Sequence, residues 1–154
     1  MPHFTTRHTV SHSAEDMFAL VADVRSYPEF VPLCQSLRVR GEAPLDDGRS
    51  VVVADMTVAY KMFKETFTSR VELDPAKREI MVTYLDGPFK KMENRWRFEV
   101  LDGIHCVVEF DIDYEFRSRT LATLMGAMFD KAFRKFSTAF EARADELYGA
   151  PSAA

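Results

Sequence analysis

The fold is decided by residues 117–148, RSRTLATLMGAMFDKAFRKFSTAFEARADELY. The apolar residues of this stretch recur every three or four positions, which places them on one face of an amphipathic helix. They are Leu121, Leu124, Met125, Met128, Phe129, Ala132, Phe133, Phe136, Ala139, Phe140 and Leu147. Charged residues such as Asp130 and Arg134 fall on the opposite face. At ~1.5 Å per residue the helix extends over about 45 Å, so it needs an equally long apolar surface to cover it.

The first half of this helix admits two interpretations. Met125, Met128 and Phe129 either pack in an ordinary core or form the roof of a cavity. Methionine side chains are unbranched and adapt to irregular space, which suits the second interpretation. The periodicity alone does not distinguish between the two.

The rest of the chain predicts one short helix and seven strands. Residues 3–11 alternate loosely as a first strand. A helix then begins at Ser13 and is expected to end near residues 25–26, because Pro28 disfavours helical geometry at the residue before it. Residues 41–48 are expected to form a turn. Six further stretches alternate apolar and polar residues, as strands with one buried face do; they are residues 37–40, 52–60, 63–73, 80–84, 92–100 and 108–116.

The last two strands constrain their own connection. A two-residue turn at residues 102–103 would pair inward Phe98 with outward Val107, which contradicts the alternation of both strands. A three-residue loop, residues 102–104, restores the match. The register that follows has three cross-strand pairs: Trp96–Phe110, Arg97–Glu109 and Arg95–Asp111. The two charged pairs predict a ladder of ion pairs on a solvated face.

This order of elements predicts an α+β protein. A strand, a helix and six antiparallel strands precede the long helix, and each element has one apolar face to bury. We predict a curved seven-stranded antiparallel sheet around a long C-terminal helix, with a hydrophobic cavity between them. A single domain is expected to cover residues 1–148, followed by a frayed tail at residues 149–154.

Composition and charge disfavour several classes of protein. The chain has 154 residues, 47% of them hydrophobic, and a net charge of −4, which disfavours binding of DNA by bulk positive charge. No apolar run approaches the ~20 residues of a membrane span, and the first ten residues lack the apolar segment of a signal peptide. Cys34 and Cys106 lack the spacing of metal ligands. These features predict a cytoplasmic protein with two reduced, buried thiols.

Three histidines near the start of the chain were considered as metal ligands. His8 and His12 would share one face of the first strand, with His3 close by. No carboxylate or cysteine nearby in the sequence completes a site of the usual kind. The sequence therefore predicts no metal site here.

No catalytic motif stands out. The chain lacks a GxSxG elbow, a phosphate-binding loop, an HExxH motif and a GxGxxG motif. Glu65 shares a strand face with Phe63 and Phe67, where burial would raise the pKa of its carboxyl group and mark a functional site. Alternatively, Glu65 lies at the end of the sheet and reaches water.

The other inward polar residues are few. Ser69, Tyr84 and Tyr114 add hydroxyl groups to the inward faces, and Asn94 is expected to be a hydrogen-bonding core residue. An apolar chamber with a few isolated polar groups is typical of a binding pocket. We therefore predict a protein that is not an enzyme and that uses no catalytic residue, metal or cofactor.

A short connector precedes the second strand. It reads YPEFVPLC, residues 27–34, and its two prolines stiffen a segment that carries two aromatic residues and a leucine. Such a segment either closes the core as a lid or forms the mouth of a pocket. Both interpretations stay open at this point.

Four stretches together resemble a known family. They are YPEFVPLC at residues 27–34, FKETFTSRV at 63–71, DGPFKKMENRWRF at 86–98 and VEFDIDYEFRSRTL at 108–121, in this order before a long helix. The chain is similar over residues 3–148 to the coenzyme Q-binding START-like family of the polyketide cyclase/dehydrase superfamily. It departs from the family's pattern at Leu33, where a tryptophan is frequent, so an aromatic contact at the pocket mouth is in doubt.

This resemblance implies a helix-grip fold with a hydrophobic tunnel. It implies a non-catalytic carrier or chaperone of ubiquinone or a similar polyisoprenoid lipid, in contact with the inner membrane or respiratory complexes. Some bacterial members are described as the ribosome association toxin RatA, which implies the alternative of binding to ribosomal subunits. That alternative requires a cationic surface, for which the sequence offers Lys131, Arg134 and Lys135 on the helix and Arg38 and Arg40 on a strand.

The candidate ligand-binding residues are apolar, aromatic and polar side chains of the connector, the inward strand faces and the helix. They are Tyr27, Phe30, Leu33, Met56, Val58, Phe63, Glu65, Phe67, Tyr84, Phe89, Trp96, Phe98, Phe110, Tyr114, Met125, Met128 and Phe129.

Overall fold

The computed structural model describes residues 3–45, 47–60 and 62–149, without the side chains of Tyr60, Phe63 and Ser137. Within these residues, two helices, a 3₁₀ segment and seven strands follow one another. They are β1 (His3–Val10), α1 (Ala14–Ala22), the 3₁₀ segment (Val24–Glu29), β2 (Cys34–Pro44), β3 (Ser50–Tyr60), β4 (Phe63–Asp74), β5 (Glu79–Asp86), β6 (Phe89–Asp102), β7 (His105–Phe116) and α2 (Arg119–Tyr148).

The seven strands form a single antiparallel sheet, as predicted. Its order is β1-β7-β6-β5-β4-β3-β2, so β2 to β7 follow one another as hairpins and β1 joins the sheet beside β7. Alternation buries one face of each strand. On β3 the buried residues are Val52, Ala54 and Val58, and on β6 they include Met92 and Trp96.

The helix α2 confirms the main sequence prediction. It has 30 residues, and the hydroxyl of its cap Ser118 accepts a hydrogen bond from the backbone N–H of Leu121 at 3.1 Å. Its buried residues are Met125, Phe129, Ala132, Phe133, Phe140 and Ala144. Leu124 and Leu147, which were placed on the same stripe, are exposed. Leu124 lies about 140° around the helix from Phe129 at 3.6 residues per turn, and Leu147 lies in the last turn of the helix.

The short helix ends earlier than predicted. The hydroxyl of Ser13 accepts a hydrogen bond from the backbone N–H of Asp16, as expected of a cap, but α1 stops at Ala22. The chain continues as the 3₁₀ segment, which contains Pro28. The 3₁₀ segment ends at Glu29, so only the first three residues of the connector are helical.

Strand β2 is longer than predicted. It runs to Pro44, and its register against β3 shifts near Gln35 and again near Arg40, where single residues bulge out of the ladder. The expected turn at residues 41–48 is therefore wrong in its first part. A bulge lets an edge strand continue past a glycine, and an edge strand also tolerates Pro44.

The register of β6 and β7 is as predicted, but the connection achieves it differently. Trp96 pairs with Phe110, and Arg97 and Arg95 lie opposite Glu109 and Asp111. The strands meet at Asp102 and His105, and the extra residue is a bulge between Val100 and Asp102. The Arg97 guanidinium bonds Glu79 of β5 at 2.9 Å, so the predicted ion pair with Glu109 is wrong. The long side chain of an arginine on a central strand reaches carboxylates on both neighbouring strands.

The N-terminal histidines bind carboxylates of other elements. His8 contacts Glu141 at 2.8 Å and His12 contacts Asp145 at 2.7 Å, so both attach α2 to the start of the chain. His3 bonds Asp113 of β7. Within the described residues, no group of three or more His, Cys, Asp or Glu side chains is arranged to hold a metal ion.

Both cysteines are free and buried. Burial raises the pKa of the Cys34 thiol to about 11 and that of the Cys106 thiol to about 11, because an apolar environment disfavours the thiolate. No described helix is long and apolar enough to cross a membrane. The predicted tail, beyond Gly149, lies outside the described residues.

Candidate functional site

A cavity of about 100 Å³ lies between the inner face of the sheet and α2. Its wall combines side chains of the connector, of strands β2 to β7 and of α2. They are Val24, Tyr27, Val31, Pro32, Leu33, Leu37, Ala54, Met56, Val58, Phe67, Ser69, Val71, Ile80, Val82, Phe89, Met92, Asn94, Trp96, Ile112, Phe129, Ala132, Phe133, Phe136 and Phe140.

Strand alternation and helix periodicity together build this wall. Inward residues of β3 and β4 face one another in register, as Ala54–Ser69 and Met56–Phe67 do. The roof comes from α2 residues spaced three or four apart, which share one helix face. Phe129 is therefore part of the roof, as one interpretation predicted. Met125 and Met128 are not in the lining, and the roof continues toward the C-terminus to Phe140 instead.

The connector forms one side of the wall. Leu33 has a left-handed backbone with φ 68°, which costs a residue with a Cβ about 1–2 kcal/mol. Its carbonyl accepts a hydrogen bond from the N–H of Ala59 at 3.0 Å, which ties the connector to the end of β3. Pro32 and Leu33 are half-buried where the lining approaches the surface. The connector therefore lies along the cavity, and its role as a lid or as a pocket mouth stays a prediction.

The wall contains few polar groups. The Tyr27 phenol donates a hydrogen bond to the carbonyl of Val21, and burial raises its pKa. The Asn94 amide donates from Nδ2 to the carbonyl of Asp111 at 2.9 Å. The Ser69 hydroxyl is buried and has no hydrogen-bond partner among the described residues. The cavity is therefore apolar apart from these groups.

Eight of the predicted site residues line the cavity. They are Tyr27, Leu33, Met56, Val58, Phe67, Phe89, Trp96 and Phe129. Their contact with a ligand stays a prediction. The side chain of Phe63 lies outside the described residues, and the remaining eight predicted residues are not part of the lining.

Aromatic residues among the eight predicted residues outside the lining are covered by other side chains. Phe30 is enclosed by Phe140, with ring centroids 5.0 Å apart, and by the Arg143 guanidinium 5.2 Å from its ring. Phe98 packs against Phe18 of α1, which covers that end of the sheet. Phe110 and Tyr114 are covered by Phe133 of α2. Inward orientation was predicted well, but the inward face is wider than the cavity.

Two titratable candidates, Glu65 and Tyr84, lie near the end of the sheet. Glu65 pairs with Val58 two residues after Phe63, where β4 begins, and is half-buried. This placement agrees with the interpretation that put it at the sheet end. The Tyr84 hydroxyl accepts a hydrogen bond from the N–H of Phe89 at 3.1 Å, and burial raises its pKa. Neither side chain lines the cavity.

Sixteen lining residues were not among the candidates. Half of them share strand parity with a predicted residue, so alternation could have found them; Ala54, Val71, Val82 and Met92 are of this kind. Ser69 and Asn94 were recognised as inward but not selected for a site. The lining residues of α2 between Ala132 and Phe140 lie on the predicted apolar stripe. They were missed because the cavity follows the helix further toward its C-terminus than predicted.

Comparison with known proteins finds relatives over most of the chain. The family described as polyketide cyclase/dehydrase and lipid transport matches residues 10–141. The ribosome association toxin RatA of Escherichia coli K12 is 35% identical over 150 residues, which cover 97% of this chain and 91% of the toxin. The likeness therefore includes every element that builds the cavity.

Two further relatives add to this comparison. Coenzyme Q-binding protein COQ10 homolog B, mitochondrial, of Xenopus laevis is 29% identical over 150 residues, which cover 95% of this chain and 59% of that protein. The solution structure of the 18 kDa protein CC1736 of Caulobacter crescentus is 36% identical, with a TM-score of 0.77 and coverage of 97% of this chain and 100% of that one. The relatives' names thus describe two different roles on one fold.

Proposed function

Because the chain belongs to the polyketide cyclase/dehydrase and lipid transport family, we propose that its cavity binds a lipid and carries it without changing it. The ligand class is a polyisoprenoid quinone such as ubiquinone, held as cargo and not as a cofactor. In this proposal the protein acts in the cytoplasm, at the surface of the inner membrane, and supports respiratory electron transport.

One observation carries this proposal, namely the apolar wall of the cavity. The described residues that line it include no carboxylate, imidazole or cationic side chain. General acid–base catalysis requires a positioned proton donor or acceptor, and the proton of the Tyr27 phenol is already bound to a carbonyl. An apolar ligand needs only exclusion from water, so this wall favours binding over catalysis.

The size of the cavity sets a condition on binding. Its volume of about 100 Å³ is smaller than the roughly 300–1,000 Å³ of typical ligand pockets. A prenyl quinone therefore enters only when α2 and the connector move away from the sheet. Each CH₂ group of the ligand that is buried contributes about 0.8 kcal/mol, so a chain of several prenyl units supplies free energy for this widening.

One end of the molecule has the properties of a membrane-binding surface. The end of β5 and the start of α2 meet there, since the N–H of Arg117 bonds the carbonyl of Pro88 at 3.0 Å. The β3–β4 turn lies at the same end of the sheet, beyond Phe67, on which Gly87 packs. Exposed apolar side chains project from each of the three. They are Met62, Leu85 and Leu124, with exposed fractions of 94%, 52% and 50%.

Cations are close in the sequence to each of these apolar side chains, together with the exposed Asp86. Lys64, Lys90, Arg117 and Arg119 are exposed, although the whole chain has a net charge of −4. Among the described residues, Lys64 and Arg119 form no ion pair, whereas Lys90 contacts Glu115 at 4.0 Å. Apolar side chains among cations suit a bilayer with anionic lipids. We call this surface the basic end (Met62, Lys64, Leu85, Arg119, Leu124).

The double variant Lys64→Gln/Arg119→Gln is expected to bind anionic vesicles about tenfold to thirtyfold more weakly than the natural chain. Each cation near such a surface contributes about 1 kcal/mol, and 1.4 kcal/mol is tenfold in affinity. Arg119 is the first residue of α2. A cation at a helix N-terminus is unfavourable for the helix dipole, so removal of the Arg119 charge does not weaken the helix. Flotation with vesicles of phosphatidylcholine and phosphatidylserine measures the effect.

The matched control is Lys131→Gln/Lys135→Gln, which removes the same charge from the exposed face of α2. It is expected to retain most of the binding. Equal loss in both double variants would show that net charge, and not the basic end, controls binding to the vesicles.

The single tryptophan tests the cavity itself. Trp96 is buried, lines the cavity and packs against Phe110 and Phe140 with ring centroids 4.7 and 5.0 Å away. Its emission is expected at short wavelength and should decrease saturably as oxidised ubiquinone is added in detergent, because the quinone accepts an electron from the excited indole. Reduced ubiquinone should quench less, and a saturated fatty acid should not quench by this route.

Constant emission of Trp96, together with an absence of quinone in organic extracts of the purified protein, would refute the quinone proposal. The fold would be unaffected by that result. Quenching that does not saturate would indicate collision in the detergent micelle and not binding in the cavity.

A second candidate function is association with ribosomal subunits. It is favoured by the relative named RatA, which is more similar to this chain than the coenzyme Q-binding relative is. Two of the cations considered for RNA contact are already paired, Arg134 with Asp130 at 2.9 Å and Arg40 with Asp55 at 2.7 Å. Arg38, Lys131 and Lys135 are exposed. Co-sedimentation with ribosomal subunits at low and high salt tests this candidate.

A further inference from the structure

We propose that the Ser69 hydroxyl is the contact for the polar head group of the ligand. The inference rests on the proposed function, because it assumes that the cavity takes an amphipathic lipid. It adds the chemistry of the head group: a hydrogen-bond acceptor such as the carbonyl oxygen of a quinone, at the end of an apolar tail. It also adds the position of the head group, which lies against β4.

The position of Ser69 gives it no partner among the described residues. It lies on the inward face of β4 between Phe67 and Val71, and its cross-strand neighbours are Ala54 on β3 and Tyr84 on β5. The first three side chains cannot accept or donate a hydrogen bond, and the Tyr84 hydroxyl bonds the N–H of Phe89 instead. Ser69 is 7% exposed, and its Oγ atom has no partner among the described residues.

An unpaired buried hydroxyl is unusual and costly. Most buried polar side-chain atoms have at least one partner, and one that lacks it destabilises the folded state. The other polar groups of the wall follow this rule, since the Tyr27 phenol and the Asn94 amide both donate to backbone carbonyls. An apolar residue at position 69 would suit the free protein better. The hydroxyl is therefore explained by a partner that arrives with the ligand.

The place of Ser69 along the strand puts the head group in the middle of the lining. It lies six residues after Phe63, the first residue of β4 beside the β3–β4 turn, and pairs with Tyr84 of β5, the residue before Leu85 of the basic end. Lining residues continue on both sides of it along β4, with Phe67 on one side and Val71 on the other. A head group bonded there leaves its apolar tail in contact with apolar side chains.

The experiment compares two ligands on two variants. The probes are decylubiquinone, which carries carbonyl groups, and dodecylbenzene, which has a similar apolar body without them. Ser69→Ala is expected to weaken decylubiquinone binding about threefold to tenfold, the effect of one neutral hydrogen bond, and to leave dodecylbenzene binding unchanged. Ser69→Thr retains a hydroxyl in the same place and should retain decylubiquinone binding.

Thermal unfolding of the ligand-free proteins supplies an independent readout. Ser69→Ala should unfold at the same temperature as the natural chain or higher, because it removes an unsatisfied group. A lower midpoint would show that the hydroxyl has a structural partner and would overturn the proposal, as would equal decylubiquinone affinity in Ser69→Ala and the natural chain. Failure of the natural chain to bind either probe would instead refute the lipid-binding function itself.

Discussion

Replacement of Phe140 by alanine is expected to lower the free energy of unfolding by about 3–5 kcal/mol. Phe140 is 1% exposed and joins three parts of the molecule. Its ring lies 5.0 Å from Trp96 of the sheet and 5.4 Å and 5.0 Å from Tyr27 and Phe30 of the connector. The lost side chain would also extend the existing cavity, because Phe140 lines it. Neighbouring rings are then unable to collapse into the space, which favours the upper part of the range.

Denaturant unfolding of Phe140→Ala measures this effect. The matched control is Leu147→Ala, two turns further along the same helix, where the side chain is 53% exposed. It is expected to change stability by no more than about 0.5 kcal/mol. An unchanged unfolding midpoint for Phe140→Ala would mean that α2 does not hold the connector against the sheet through this residue.

The sequence predicted the elements well where one face of each is buried over its whole length. The alternation of β6 and β7 is an example, because only one register keeps both Phe98 and Val108 inward. The connection between them was not predictable in the same way. A three-residue loop and a bulge at Leu101 with a tighter turn shift the alternation equally, and only the backbone geometry distinguishes them.

The helix shows where periodicity loses resolution. Leu124 and Phe129 both fit a pattern of apolar residues three or four apart, but only Phe129 faces the sheet. Because both residues are apolar, the periodicity predicted burial for both equally. The structure separates them by angle, and Leu124 is exposed at the basic end, where the proposed membrane contact would cover it.

The cavity was predicted as a feature but not delimited. Strand parity predicts which side chains lie on the inner face of the sheet. Whether such a side chain lines the cavity or is covered by another side chain depends on residues far away in the sequence. Phe110 and Phe67 have the same inward orientation, yet Phe136 and Phe133 of α2 cover Phe110. Ser69 was visible from the sequence as an inward hydroxyl. Its lack of a partner follows only from the packing of β3, β4 and β5 around it.

The double variant Ala54→Ile/Ala132→Leu is expected to reduce ubiquinone binding more than a hundredfold. Ala54 on β3 and Ala132 on α2 line the cavity from opposite sides and are 5% exposed each. The two substitutions add six carbon atoms to the space that the ligand uses. If they exclude the same number of ligand CH₂ groups, about 5 kcal/mol of binding free energy is lost, at about 0.8 kcal/mol per group. Tenfold in affinity corresponds to 1.4 kcal/mol, so a hundredfold loss is a lower bound.

The fold should survive this change. Isoleucine suits a strand and leucine suits a helix, and the added groups fill empty volume before they strain their neighbours, so overpacking is expected to cost no more than about 1–3 kcal/mol. Unfolding measurements check this point. The surface variant Ala43→Ile/Ala142→Leu adds the same atoms at exposed positions and should bind ubiquinone like the natural chain.

The same variant separates the two candidate functions. Association with ribosomal subunits depends on the outer surface, which Ala54→Ile/Ala132→Leu leaves intact, whereas quinone binding depends on the interior. If the variant loses ubiquinone but still co-sediments with subunits, the two activities use different parts of the chain. If it loses neither while remaining folded, the ligand does not occupy this cavity and the lipid-binding proposal is wrong. If it loses both while remaining folded, the occupied cavity is required for association with the subunits.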